Sequence, residues 1–130
     1  MGKIVILVKT PDVHPYELKT KDHENAIITD INIVNDNKFW MKLVPNDDAK
    51  RLALTNPKFA YIYSKYVLNQ RFPDGESVIA EDAHWSTNYA INVLKDRFIT
   101  GEAAINADEY WSVFYKENIK IVIKEQQEKK

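Results

Sequence analysis

Asn56-Pro-Lys-Phe-Ala-Tyr-Ile-Tyr-Ser-Lys-Tyr-Val-Leu-Asn-Gln-Arg-Phe-Pro-Asp-Gly-Glu76 decides the reading of this chain, because its pattern returns 26 residues later and then begins a third time. Phe59, Trp85 and Trp111 fall in register, as do Tyr63, Tyr89 and Tyr115, and Val67, Val93 and Ile119. Leu68 matches Leu94, Arg71-Phe72 matches Arg97-Phe98, Gly75-Glu76 matches Gly101-Glu102, and Ile79 matches Ile105. A register held at this many positions marks a tandem repeat, whose units bury their apolar faces on one another.

Each unit reads as two helices. Asn56, Asp82 and Asp108 precede the apolar-periodic runs and serve as N-caps, and Pro57 follows at the first helical position, where a missing N–H is harmless. Asp48, Asp74 and Thr100 form a second expected cap series, with Glu76 and Glu102 in the next turn. The spacing predicts short helices near 49–54, 75–80 and 101–106, alternating with long ones near 57–69, 83–95 and 109–118. On the long helices the i, i+4, i+8 stripe of Phe59, Tyr63 and Val67, and of Trp85, Tyr89 and Val93, is expected to form the core of a solenoid-like stack. Gly75 and Gly101 are expected to permit a tight turn there.

Outside the repeat the pattern is that of strands. Lys3 to Lys9 is β-branched and meets Thr10-Pro11, while residues 11–25 are polar and aperiodic, so they read as a loop. Ile27, Thr29, Ile31 and Ile33 alternate, then Phe39, Met41 and Leu43 alternate after Asn35-Asp36-Asn37, which predicts a hairpin of strands 26–34 and 37–44. Ile119, Ile121 and Ile123 alternate too. They are expected to return as a strand over 119–124, with continuation of the last helix as the alternative. The expected fold is α+β: a small antiparallel sheet packed on a short helical stack. Residues 1–47 form a β-rich subdomain, 48–118 a helical repeat subdomain and 119–130 a strand with a frayed tail, all in one compact unit.

The 130-residue chain is long enough for one domain with a core of its own. Eighteen basic against 19 acidic residues leave a net charge of −1, which speaks against nucleic acid and anionic membranes as partners. The absence of cysteine excludes disulfides and thiolate chemistry. Ile4–Val8 is too short for a signal or a membrane span, so a cytoplasmic location is expected.

The 56–76 segment resembles a short tandem helical repeat of uncharacterised proteins of large tailed phages: a capped proline, an aromatic, a tyrosine-rich helix, then Arg-Phe-Pro-acid-Gly-Glu. The resemblance covers about 49–119. The second unit departs from it, with Ile99-Thr100 for Pro73-Asp74 and Ala83 for Pro57. It implies a phage-encoded, stacked-helix protein working in the host cytoplasm, and it implies no catalytic residues and no cofactor.

Several clusters carry possible chemistry. His14, Glu17, Asp22, His23 and Glu24 share one loop, and His14 and His23 are its candidate metal ligands, although nothing regular fixes their spacing. His84 sits where the first unit has Lys58, and reads as a surface residue. Arg71 and Arg97 recur with Glu76 and Glu102, either as an anion-binding ladder or as ion pairs serving the stack. Tyr61, Lys65 and Tyr66 are aromatic and basic where the register does not demand it, and with Arg71 and Arg97 they are the candidate partner-binding residues; packing of the two tyrosines against the hairpin, near Phe39 and Trp40, is the alternative. The function expected is a non-enzymatic protein-binding module, a monomer or homodimer, acting on a host or phage protein, with inhibition of a host defence as one version. A nucleic-acid or nucleotide binder using Arg71, Arg97 and the lysines at 120, 124, 129 and 130 is one alternative. A small metal-dependent enzyme built on the 14–24 loop is another.

Overall fold

The computed structural model describes residues 2–9 and 13–129. The turn expected at Thr10-Pro11 and the terminal Lys130 lie outside the described residues. The chain is α+β. Three short strands open it, β1 (Lys3–Ile6), β2 (Tyr16–Lys19) and β3 (Asn25–Ile28), in the order β2-β1-β3. The sheet is mixed rather than antiparallel: β1 runs antiparallel to β2, with Ile6 opposite Tyr16, and parallel to β3, with Ile4 opposite Ala26. β2 lies inside the stretch expected to be loop. Its four residues alternate Tyr16 and Leu18 inward with Glu17 and Lys19 outward, too brief a pattern to stand out among polar neighbours.

The predicted hairpin is replaced by helix. Alternation over 26–34 lasts only to Ile28, and Ile31–Asn35 is a 3-10 turn whose cap, Asp30, accepts from the Asn32 N–H. Asp36, expected in a hairpin turn, instead accepts from the Lys38 N–H and caps α1 (Asn37–Met41), so 37–44 is not a strand. The residues buried there are Phe39, Trp40 and Leu43, a helical spacing, while Met41 faces solvent. Trp40 decides the matter: its ring is fully buried and its Nε1–H donates to the Val34 carbonyl at 2.7 Å.

The repeat has the helices its caps demand. α2 (Asp47–Ala53) leads to α3 (Pro57–Ile62), which continues as a π-wound segment over Tyr63–Leu68. α4 (Glu76–Ile79) leads to α5 (Ala83–Tyr89), π-wound over Ala90–Leu94, and α6 (Glu102–Asn106) leads to α7 (Glu109–Glu128). The Asn56, Asp82 and Asp108 side chains each accept from the N–H three residues on, at 2.9 Å in every unit. The second cap series is corrected. Asn46 caps α2, whereas α4 and α6 grow out of 3-10 turns at Pro73–Gly75 and Ile99–Gly101 with no side-chain cap. Asp48 instead accepts from the Glu17 N–H, tying α2 to the sheet, and Asp74 pairs with Lys50.

Residues 119–124 belong to α7, not to a strand. The first two long helices end because Asn69 and Lys95 turn left-handed, with φ near 56° and 55°, and send the next N–H groups back to Ser64 and Ala90. The same register position in the third unit is Ile121, whose branched Cβ resists that conformation, so the helix runs on.

One core joins sheet and stack. Ile4, Ile6, Tyr16 and Leu18 line its sheet side, and Trp40 meets Phe59 and Tyr63 at 5.7 and 6.4 Å between ring centres. The two repeat glycines have negative φ, so no left-handed turn requires them. They are needed for room. A Cβ at Gly75 would stand 2.4 Å from the Phe72 ring, and one at Gly101 would stand 2.6 Å from both the Phe98 ring and Ser86 Oγ.

Candidate protein-docking surface

The recurring Arg, Glu and Tyr residues form an internal clamp. Tyr89 Oη donates to Glu76 at 2.6 Å and accepts from the buried Phe72 N–H at 2.8 Å, while Arg71 holds the same carboxylate through Nε and an Nη. The next unit repeats it with Tyr115, Glu102, Phe98 N–H and Arg97. Each clamp lets a tyrosine of one long helix seize the linker before it. Burial, and then the adjacent carboxylate, pushes the Tyr115 phenol up to about 12 and raises that of Tyr89 as well. The hydrogen bonds from Arg97 hold Glu102 below the usual carboxylate range. Arg71 and Arg97 therefore serve as ion-paired parts of the stack, although their outer faces stay in solvent.

Tyr61 is not a surface residue. It is 5% exposed, its ring lies 5.4 Å from that of Trp85, and its Oη accepts from Asn92 Nδ2. It packs on the next repeat unit rather than on the sheet side, where Phe59 and Tyr63 meet Trp40 instead. Tyr66 and Lys65 are half-buried, with the Lys65 ammonium 5.4 Å above the Tyr66 ring. His84 is no free surface histidine either: it lies between Trp85 and Trp111, stacked on them at 4.2 and 4.4 Å. His14 and His23 stand at opposite ends of β2, more than ~10 Å of strand apart, and both face solvent. Among the described residues no three His, Asp or Glu side chains converge on one point.

The rings form one continuous run along the stack. From Tyr61 it passes through Trp85 and His84 to Trp111, and from Trp111 to Tyr110 at 4.8 Å and Phe114 at 5.4 Å. Its direction is informative. Trp85 covers Tyr61 of the unit before, and Trp111 covers His84. The register positions that receive the following unit are therefore 61, 87 and 113, with 84 and 110 beside them. Tyr61 and Thr87 are buried at 5% and 0%, but Val113 is 55% exposed and Tyr110 64%. No further unit follows within the described residues, so the last helix presents uncovered the face by which its predecessors bind their neighbours.

That face has a mixed character. Ser64 and Ala90, both buried, become exposed Lys116, and Leu68 and Leu94, both half-buried, become exposed Lys120. Aromatic and aliphatic groups at Tyr110 and Val113 thus adjoin a basic margin. Sequence reasoning missed this surface because it compared repeat positions by residue type. The signal was present in the half unit: an exposed-type register position, Lys58 and His84 in the earlier units, carries Tyr110, and the register positions of Ser64 and Leu68 end as Lys116 and Lys120.

Comparison with protein-family models, with curated proteins and with solved structures finds no match for the chain. Among the described residues no helix is long and apolar enough to cross a membrane.

Proposed function

We infer that this chain is a non-enzymatic protein-binding module that docks a partner on the open end of its helical stack. The observation that carries the reading is the uncovered stacking face of α7, where Val113 stands exposed at the position that is buried as Tyr61 and Thr87 in the preceding units, and Tyr110 stands exposed where His84 is half-buried against Trp111. Aromatic groups on a rigid helix, bordered by charge, have the composition of an interface centre with a polar rim. The resemblance of 56–76 to phage tandem repeats supports a phage-encoded protein whose partner is a host factor in the host cytoplasm, with inhibition of a defence system as its concrete form.

The experiment is capture of a partner from host lysate on immobilised protein, run in parallel with Val113→Glu and Tyr66→Ala. The reading requires one stoichiometric protein that Val113→Glu loses and Tyr66→Ala keeps, with the melting temperature of Val113→Glu unchanged. Capture indifferent to Val113→Glu contradicts it. Recovery of nucleic acid instead, with affinity falling steeply as salt rises, favours the nucleic-acid alternative.

A further inference from the structure

The sheet has one tied edge and one open edge. On β2 the main chain facing away from β1 is held by the helical part: the Glu17 N–H donates to Asp48 and its carbonyl accepts from Asn46 Nδ2. The Lys19 carbonyl accepts from the Val44 N–H, and the Lys21 N–H donates to the Lys42 carbonyl. On β3 the Leu7 N–H donates to the Ile28 carbonyl at 2.9 Å, so Ala26 and Ile28 turn their main-chain groups to β1, and Asn25 and Ile27 turn theirs outward. Among the described residues nothing donates to or accepts from those outward groups. The Ile27 side chain is 73% exposed and borders a depression of about 550 Å³ with Lys3, Val5 and Asn25. β3 carries no lysine, proline or bulge, the usual guards of a free edge.

We propose that the free edge of β3 receives an antiparallel strand of a partner protein, with an aliphatic residue opposite Ile27 and a basic residue three positions to either side. This contact is separate from the end of the stack, since β2 joins the sheet to α2 while α7 packs on α5 and α6. The main chain sets the form of the ligand: outward N–H and carbonyl groups in strand spacing are matched by another extended chain, and antiparallel pairing is the more stable per residue. Charge sets its sequence. Extended backbone continues to Asp30, at φ −100° and ψ 103°, so the edge carries carboxylates at Glu24 and Asp30, each three residues from Ile27. Two copies paired antiparallel through Ile27 would set Glu24 of each against Asp30 of the other, and like charges directly opposite destabilise a pair. A strand with lysine or arginine at those places gains instead. Neighbouring cations do not cancel this. Lys42 reaches Glu24 at 3.5 Å with both side chains partly in solvent. Lys3 is held by Glu17 at 3.1 Å, and Lys9, past the end of β1, makes no ion pair among the described residues. The exposed Asp22 adds a further negative charge beside Glu24.

The test uses the full chain, isotope-labelled, and a capped peptide, Lys-Thr-Val-Ile-Val-Thr-Lys, titrated by NMR. In the free protein the Ile27 amide should exchange with solvent faster than those of Ala26 and Ile28, and the peptide should shift it and slow its exchange. Replacing both peptide lysines by glutamate should weaken binding about tenfold, as two attractive cross-strand pairs turn repulsive. A methyl group on the nitrogen of the central isoleucine removes the N–H that meets the Ile27 carbonyl, and should abolish binding. Ile27→Lys, a change at an exposed side chain, should weaken it, and Val113→Glu should leave it unchanged, which separates this edge from the end of the stack. No change in the Ile27 amide at millimolar peptide overturns the proposal. Equal binding of the N-methylated peptide does so too, because the contact is then not through the main chain, and equal binding of the glutamate peptide removes the role of Glu24 and Asp30. Protection of the Ile27 amide that grows with protein concentration alone would assign the edge to a second copy and overturn the proposal as well.

Discussion

Tyr89→Phe is the sharpest perturbation of the stack, because it deletes one oxygen and leaves the ring. That oxygen donates to Glu76 at 2.6 Å and accepts from the buried Phe72 N–H at 2.8 Å. A hydrogen bond to a charged group is worth roughly 1.5–3 kcal/mol, and a buried N–H left without an acceptor costs roughly 1–3 kcal/mol. The two losses overlap, since the linker can relax, so about 2–4 kcal/mol is expected. That is a large part of the roughly 5–15 kcal/mol that holds a domain folded. In urea, where such a chain has a slope of about 1–3 kcal/mol per molar, the midpoint should fall by roughly 1–2 M with the slope unchanged. Adding Glu76→Gln should cost less on the Tyr89→Phe background than on the wild type, because the two share one network. Tyr115→Phe should follow with a smaller loss, as its bond from the Phe98 N–H is longer, at 3.1 Å. A Tyr89→Phe loss below about 0.5 kcal/mol, within the range of ordinary surface changes, would refute the clamp as the link between units.

Three further outcomes follow from the same geometry. Both clamp phenols have raised pKa values, so their contribution is intact below pH 10 and falls above it, that of Tyr115 being lost as pH rises through about 12 and that of Tyr89, raised further, at higher pH still; alkaline unfolding followed by circular dichroism should show this fall, and Tyr89→Phe with Tyr115→Phe should flatten it. Gly101→Ala places a Cβ 2.6 Å from the Phe98 ring and Ser86 Oγ, and should destabilise by roughly 1–3 kcal/mol through overpacking, read as a lower thermal midpoint. Lys95→Gly should stabilise by about 1 kcal/mol, because Lys95 holds a left-handed φ of 55° that glycine adopts freely; an unchanged urea midpoint would contradict that account of the helix end.

The repeat half of the fold was legible because three independent signals agreed there. The 26-residue register, the cap residues Asn56, Asp82 and Asp108, and the aromatic stripes all point to the same helices. The long helices end within a residue or so of expectation until Ile121, where the alternation Ile119-Ile121-Ile123 imitates a strand. Only comparison with Asn69 and Lys95 shows why that position does not turn. The N-terminal half was misread for a related reason. Phe39, Met41 and Leu43 alternate as a strand would, but Phe39, Trp40 and Leu43 are equally spaced for a helix, and Asp36 as a cap breaks the tie. In β2, four residues among polar neighbours carry too little pattern to be found. Of the candidate site residues, Tyr61 was legible as special, with burial against the hairpin as one of its two readings, but its actual cover, Trp85 of the following unit, was not legible, because burial between units follows from stacking geometry rather than residue type. Arg71 and Arg97 were legible as partners of Glu76 and Glu102, since they recur together with the repeat, but residue type alone left a partner-binding role and an ion pair within the stack equally open.

The central claim is that the open end of the stack is where a partner binds. It is tested most directly by placing a photo-crosslinkable phenylalanine analogue at Tyr110 and, separately, at Tyr66, and irradiating each protein in host lysate. The account predicts a single crosslinked partner from position 110, absent when Val113→Glu is added, and none from position 66. Crosslinks from position 66 with silence at position 110 would contradict it.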